Sequence, residues 1–310
     1  MSEWTVLRSR QDASVNFVAQ TPDEGFFESR FVQRSPDYFI AYLSSHTGCK
    51  HACRFCHLTA TGQTMMTPAD MDSYLDQAKQ ALSPARDLHA AGELVATRAH
   101  YNFMARGEAL SNAFFVDNSQ ELFDKLAQQT GALGVSNTRF LVSSILPHDF
   151  KGDLSKVLAD ERSILYYSLY SMDPSFRKRW LPRAMAAPKA LDLIAEMQAK
   201  TGREVALHWA FIEGQNDSEE SVDHAIDEVL ARGIKAKFNL VRYNPHDARH
   251  GVEPSEERLQ SLFDRIATRL NNPRSRIVSR VGKDVKASCG MFVCSRDDAD
   301  FDTDAAIANH

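Results

Sequence analysis

Apolar, β-rich runs alternate with helical patterns along most of this chain, and that rhythm constrains its fold more than any other feature. Strands are predicted at residues 38–44, 94–104, 139–144, 164–169, 204–212 and 235–241, with a short last one at 277–279. Helices are predicted at 120–129, 189–200, 219–232 and 256–270. A further helix starts in Thr67-Pro68-Ala69-Asp70, with Thr67 as N-cap and Pro68 at the first helical position, and Met71, Tyr74, Leu75, Ala78 and Leu82 line one face. Strand-then-helix order implies a parallel sheet with right-handed crossovers. Six such units predict an α/β fold, a partial (β/α)6 TIM-like barrel, open where an eight-fold barrel closes. In such sheets the chemistry collects at the C-terminal strand ends. The expected organisation is a short N-terminal segment (1–34), the barrel (35–285), and a cysteine loop with an acidic tail (286–310).

The loop after the first predicted strand holds Gly48-Cys49-Lys50-His51-Ala52-Cys53-Arg54-Phe55-Cys56. A C-x3-C-x2-C run supplies three thiolates. A four-iron cubane held by Cys49, Cys53 and Cys56 keeps one iron without a protein ligand. That iron can take the amino and carboxylate groups of S-adenosylmethionine (SAM) and pass an electron to its sulfonium. The competing reading is zinc, which needs a second ligand pair downstream. His57 adjoins Cys56, so their side chains diverge, and Cys289 and Cys294 lie far along the chain. Ser143, Ser168, Asn244 and the Gly107-Glu108 turn all fall at or just beyond strand ends.

Composition narrows the class. The chain has 310 residues, 43% hydrophobic and 25% charged, with ample length for a large core. It contains no run of about 18 apolar residues, so no membrane span is expected, and the first ten residues lack the apolar core of a signal peptide. Five cysteines, three of them spaced for metal, suit a reducing cytoplasm better than a disulfide scaffold. A net charge of −5 argues mildly against a large RNA footprint. Basic residues nevertheless cluster around Trp180 (Arg177, Lys178, Arg179, Arg183) and again at Arg274, Arg276, Arg280, Lys283 and Lys286. Each cluster is either a solvated face or a phosphate contact.

Taken in order, these motifs resemble the RlmN/Cfr-type radical SAM methyltransferases, which modify adenine in ribosomal or transfer RNA. The resemblance runs from about residue 28 to about 290. Ser44-Ser45-His46-Thr47-Gly48-Cys49, Cys53-Arg54-Phe55-Cys56 and Gly62 resemble the family's cluster loop. Gly107-Glu108-Ala109-Leu110-Ser111-Asn112 resembles its G-E-P-L-x-N turn, with Ala109 in the proline position. Ser168-Leu169-Tyr170 is similar to an S-L-H step, with tyrosine replacing histidine. Arg177 with Trp180-Leu181-Pro182, and Gly214-Gln215-Asn216-Asp217-Ser218, match the next two motifs. Asn239-Leu240-Val241-Arg242-Tyr243-Asn244-Pro245 resembles N-L-I-P-x-N-P. Gly282-Lys283-Asp284-Val285-Lys286-Ala287-Ser288-Cys289-Gly290 resembles the stretch that ends in the family's methyl-carrying cysteine.

The resemblance implies a [4Fe-4S] cluster on Cys49, Cys53 and Cys56, and SAM contacts from Gly107, Glu108, Ser143, Ser168, Leu169, Tyr170 and Asn244. It implies two uses of SAM: one methylates Cys289, and a second yields a radical that takes hydrogen from that S-methyl group. The carbon radical then adds to an electron-poor adenine carbon, and Glu28, near the family's catalytic glutamate, takes part in removing the ring proton. An RNA substrate (rRNA or tRNA), an electron donor such as flavodoxin or ferredoxin, and a cytoplasmic location follow from the same resemblance. His51, His57 and His208 have no matched role.

Two departures stand out. The family's resolving thiol lies seven residues before the first cluster cysteine, where this chain has Tyr42. Cys294, five residues after Cys289, is the spare thiol and the candidate replacement. The family also carries a helical domain ahead of the barrel, whereas 27 residues precede Glu28 here. The alternatives are a radical SAM reaction on a small molecule or peptide, or an RNA-binding descendant without turnover.

Overall fold

The structure is a computed structural model in which residues 3–93 and 95–293 are described. Among the described residues, ten strands form a single sheet in chain order: β1 (Thr5–Arg8), β2 (Ser14–Gln20), β3 (Phe26–Ser35), β4 (Tyr38–Leu43), β5 (Arg98–Asn102), β6 (Asn137–Ser144), β7 (Ser163–Tyr167), β8 (Val205–Trp209), β9 (Ala236–Val241) and β10 (Arg276–Val278). The pairs from β1 to β4 are antiparallel, and those from β4 to β10 are parallel. The helices are α1 (His57–Ala60), α2 (Met71–Ala81), α3 (Ser83–Ala90), α4 (Ala113–Gly131), α5 (Leu154–Val157), α6 (Pro174–Trp180), α7 (Ala187–Thr201), α8 (Glu219–Ala231) and α9 (Glu256–Leu270). Strands β4 to β9 are the six main strands of the partial barrel, and short β10 follows them.

The first 35 residues do more than the strand–helix rhythm suggests, because β1 to β3 extend the sheet. Strand β2 is buried along nearly its whole length, as is most of β3. With both faces covered, neither strand shows apolar–polar alternation, and Asn16, Glu28 and Arg30 interrupt the apolar run. Helix α2 also starts later than predicted. Asp70, not Thr67, is its N-cap, and the Asp70 carboxylate accepts from the Ser73 amide at 2.9 Å. Thr67 and Pro68 stay extended because they are pinned to the cysteine loop. The Thr67 carbonyl accepts from the Thr47 amide, and Pro68 bridges His46.

The main core lies between the sheet and its helices. Tyr101, Phe103, Phe115, Phe123 and Phe140 pack there, with the Phe123 and Phe140 rings stacked at 4.3 Å. Burying each such ring contributes about 1.5–3 kcal/mol. On the other side, the segment after β10 crosses back over β2 and β3. Arg34 donates to the Ser279 carbonyl, the Gly282 amide donates to Asp12, and Asn16 donates to the Val285 carbonyl. That segment carries Cys289 across the mouth of the half-open barrel.

Candidate active site

Two glycines let the loops at the C-terminal strand ends close on one another. A Cβ on Gly48 would lie 2.0 Å from the Met65 carbonyl oxygen. Gly107 has φ +87°, and a Cβ there would lie 2.6 Å from both Ser45 Oγ and His46 Nδ1. The Cys49 amide donates to the Gln63 carbonyl, and the His57 amide donates to the Gly290 carbonyl. The cysteine loop thus meets both the turn after β5 and the Cys289 segment.

Cys49, Cys53 and Cys56 line one cavity of about 130 Å³, and none forms a disulfide. Burial pushes the Cys49 thiol up to about 11, the Cys56 thiol up to about 12, and Cys53 well above its ordinary range, with neighbouring thiolates adding to the shift at Cys53 and Cys56. Three desolvated thiols spread around one cavity fit a multi-iron cluster, each ligating a different iron, better than a single ion. Phe55 closes the loop by stacking on Tyr170 at 4.6 Å. Tyr170 holds φ 60°, a conformation costly for a bulky side chain.

Glu108 lines the same cavity. Its carboxylate accepts from the Leu110 and Ile145 amides, at 3.2 and 3.1 Å. It forms no ion pair among the described residues, and burial raises its pKa to about 7. A buried carboxylate with no counter-charge fits an incoming ammonium group, which is what SAM's amino end offers. Ser143, whose hydroxyl donates to Asn102, together with Gly107, Ser168, Tyr170 and Asn244, completes this wall. Leu169 does not: its side chain is buried in the core, and its carbonyl accepts from Arg177. Just beyond the end of β7, Ser168 and Tyr170 line the cavity while Leu169 packs into the core.

Cys289 sits on the wall between this cavity and a second one of about 260 Å³ inside the barrel. Burial raises its thiol pKa to about 11, while Arg30 pulls it the other way. Its carbonyl accepts from Asn244 Nδ2 at 3.0 Å. Tyr42, in the position of the family's resolving thiol, lines the barrel cavity.

Glu28 is displaced from the role the sequence suggested. It lines neither cavity, and its side chain is fully buried. One carboxylate oxygen accepts from Arg106 Nε and the Val293 amide, and the other from Arg30 and Asn16. The two arginines reach on to the Cys289 segment: Arg30 donates to the carbonyls of Ala287, Ser288 and Met291, and Arg106 to that of Val293. The carboxylate therefore anchors the segment that carries Cys289, and both its oxygens are committed. Cys294 lies outside the described residues.

Sequence reasoning missed Arg30 and Arg106, because an arginine in a strand or in the turn after one reads as a surface residue until its partner is known. It also left His208 without a role, although His208 lines both cavities. His51 and His57 are held by Ser111 Oγ and the Asn244 carbonyl.

The parallel half-barrel, the three-thiol loop at its C-terminal edge and the uncompensated carboxylate beside it are the arrangement a radical SAM enzyme would use: the three cysteines fit a [4Fe-4S] cluster, and Glu108 fits the ammonium group of SAM. The chain is a homologue of the proteins named RlmN. It is 27% identical over 288 residues to the probable dual-specificity RNA methyltransferase RlmN of Parasynechococcus marenigrum, covering 91% of this chain and 77% of that protein. It is 28% identical over 294 residues to the corresponding Deinococcus deserti protein, covering 92% and 78%. Among solved structures, a radical SAM methyltransferase from Sphaerobacter thermophilus superposes with a TM-score of 0.74 at 20% identity, over 95% of this chain and 82% of that one. No family model matches the chain.

Proposed function

We propose that this protein is an RNA methyltransferase that carries a SAM-derived one-carbon unit on Cys289 and delivers it to an adenine carbon of ribosomal or transfer RNA. The observation that carries the reading is the position of Cys289, on the wall shared by the thiol-lined cavity and the barrel cavity. Bound together, cluster and SAM supply both a methyl donor and a one-electron route to C–H cleavage. The chain's own residues hold and orient: Cys49, Cys53 and Cys56 ligate the cluster, Glu108 takes the ammonium group of SAM, and Asn244 holds the Cys289 backbone. The Glu28–Arg30–Arg106 network keeps the Cys289 segment in place, so the sulfur stays between donor and acceptor. The Cys289 thiol must lose its proton before it accepts a methyl group, and Arg30 is the charged group that favours the thiolate.

Cys294 is assigned to product release: its thiolate attacks the Cys289 sulfur, the bond from that sulfur to the transferred carbon breaks with its electron pair going to the product, which takes up a proton to become the methyl group, and a Cys289–Cys294 disulfide remains to be reduced before the next cycle. The reductant is an electron donor such as flavodoxin or ferredoxin. No described helix is long and apolar enough to cross a membrane, and a cytoplasmic location matches the RNA substrate.

The test is anaerobic incubation of the cluster-loaded protein with SAM labelled in its methyl group, with and without RNA. Expected are a label on Cys289 in the protein alone and labelled methyladenine when RNA is added. Formation of 5′-deoxyadenosine with no label on Cys289 would instead assign a different radical SAM reaction.

A further inference from the structure

His208 is the fourth residue of β8, and Asn239 is its register partner on β9, so their side chains project side by side from the same face of the sheet. Both line the barrel cavity, and His208 also lines the thiol-lined one. His208 is 7% exposed and Asn239 1%. Neither ring nitrogen of His208 has a hydrogen-bond partner, and neither does Asn239 Oδ1. Buried polar atoms are rarely left unpaired, because the desolvation they suffer is not recovered. Here a donor, an acceptor and a second acceptor stand together, unpaired, on the floor of the chamber that ends at Cys289.

The rest of the chamber indicates what would pair with them. Tyr166 lies against the His208 ring edge-to-face at 5.4 Å, so the two rings wall the chamber at a steep angle to each other. Six arginines and no carboxylate line the chamber. Arg242 and Arg280 share Glu253. Arg98, held over the Tyr38 ring at 4.2 Å, and Arg276 stand at the N-terminal strand ends, opposite Cys289. From Arg98 to Asn102 the strand rises about 13 Å, the scale of one nucleotide.

We infer that the barrel chamber receives a single unstacked purine nucleotide, with His208 and Asn239 as the hydrogen-bonding pair that reads its base. The inference rests on the RNA reading above and specifies how the base reaches Cys289: it leaves its stack and enters the barrel, as bases do in enzymes that perform chemistry on them. The Tyr166 ring takes the base plane, the His208–Asn239 pair takes its edge, and Arg98 and Arg276 take the phosphate. Burial keeps His208 neutral, with its pKa pushed down to about 3, so one ring nitrogen donates and the other accepts.

The test is equilibrium dialysis of AMP against cluster-loaded protein kept saturated with SAM, so that the SAM site is closed to the probe. Wild type is compared with His208→Phe, His208→Gln and Asn239→Leu, and RNA methylation is measured on the same preparations. Expected is AMP binding stronger than adenosine binding, weakened about tenfold or more by His208→Phe and by Asn239→Leu and largely kept by His208→Gln. No AMP uptake by wild type, unchanged binding in His208→Phe, or equal loss in His208→Gln and His208→Phe would each overturn the inference. If AMP binding depends on His208 but wild type methylates no RNA, the chamber stands and the RNA reading falls. If wild type and His208→Phe methylate RNA equally well, the RNA reading stands and the chamber falls.

Discussion

Glu28 and Arg106 form an ion pair in which both side chains are 0% exposed, with Arg106 Nε 2.9 Å from Glu28 Oε1. The pair joins a strand near the N-terminus to the turn before Gly107, and through the Val293 backbone it reaches the segment that carries Cys289. Removing one partner of such a pair strands a buried charge, which costs about 3–5 kcal/mol. Glu28→Gln is therefore expected to lower stability by that order in urea unfolding and to speed alkylation of Cys289 by iodoacetamide. If Glu28 were instead a base that touches substrate, the variant would unfold like wild type and lose only turnover.

Glu108 predicts a pH dependence for SAM binding. Its carboxyl is raised to about 7 by burial in the SAM-free protein, so below that pH it is mainly protonated. Pairing with an ammonium group favours the ionised form, so binding at low pH must release a proton. SAM affinity is expected to fall as pH drops below about 7, approaching tenfold per pH unit. Glu108→Gln should bind more weakly and lose the dependence. Titration calorimetry at pH 6 and 8 reads both, and an affinity that rises on acidification would contradict the assignment.

Gly48 ties loop geometry to cluster assembly. The contact its Cβ would make is with a backbone carbonyl, which has no flexible end to move. Gly48→Ala is expected to reduce iron and sulfide bound per chain after reconstitution, while Gly131→Ala, in open space on α4, should not. Equal iron content in the two variants would show that the close approach at Gly48 has no bearing on the cluster.

Cys294→Ala tests the route of product release. The expected outcome is a covalent protein–RNA adduct at Cys289, visible as a slow band on a denaturing gel, with turnover limited to about one per chain. Multiple turnover at the wild-type rate would remove Cys294 from the reaction.

The legibility of this protein followed the range of the interactions involved. The βα rhythm is a local property of hydrophobic spacing, and helix α9 has the predicted bounds at both ends. Where distant residues decide, local reading slipped. Thr67 had the chemistry of an N-cap, yet its pairing with Thr47 held it extended and moved the cap to Asp70. Leu169 shared a motif with Ser168 and Tyr170, but packing just beyond the end of β7 placed it in the core.

By itself the amino-acid sequence determined the half-barrel and the three thiols that line one cavity, because short-range spacing dictates strands, helices and the reach of one loop. Tertiary structure decided what each buried charge does. Glu28 is neutralised by arginines close in space, one of them 78 positions away along the chain, and Glu108 has no such partner among the described residues. The two carboxylates read alike as letters, and only the folded surroundings make one an anchor and leave the other to receive a cation.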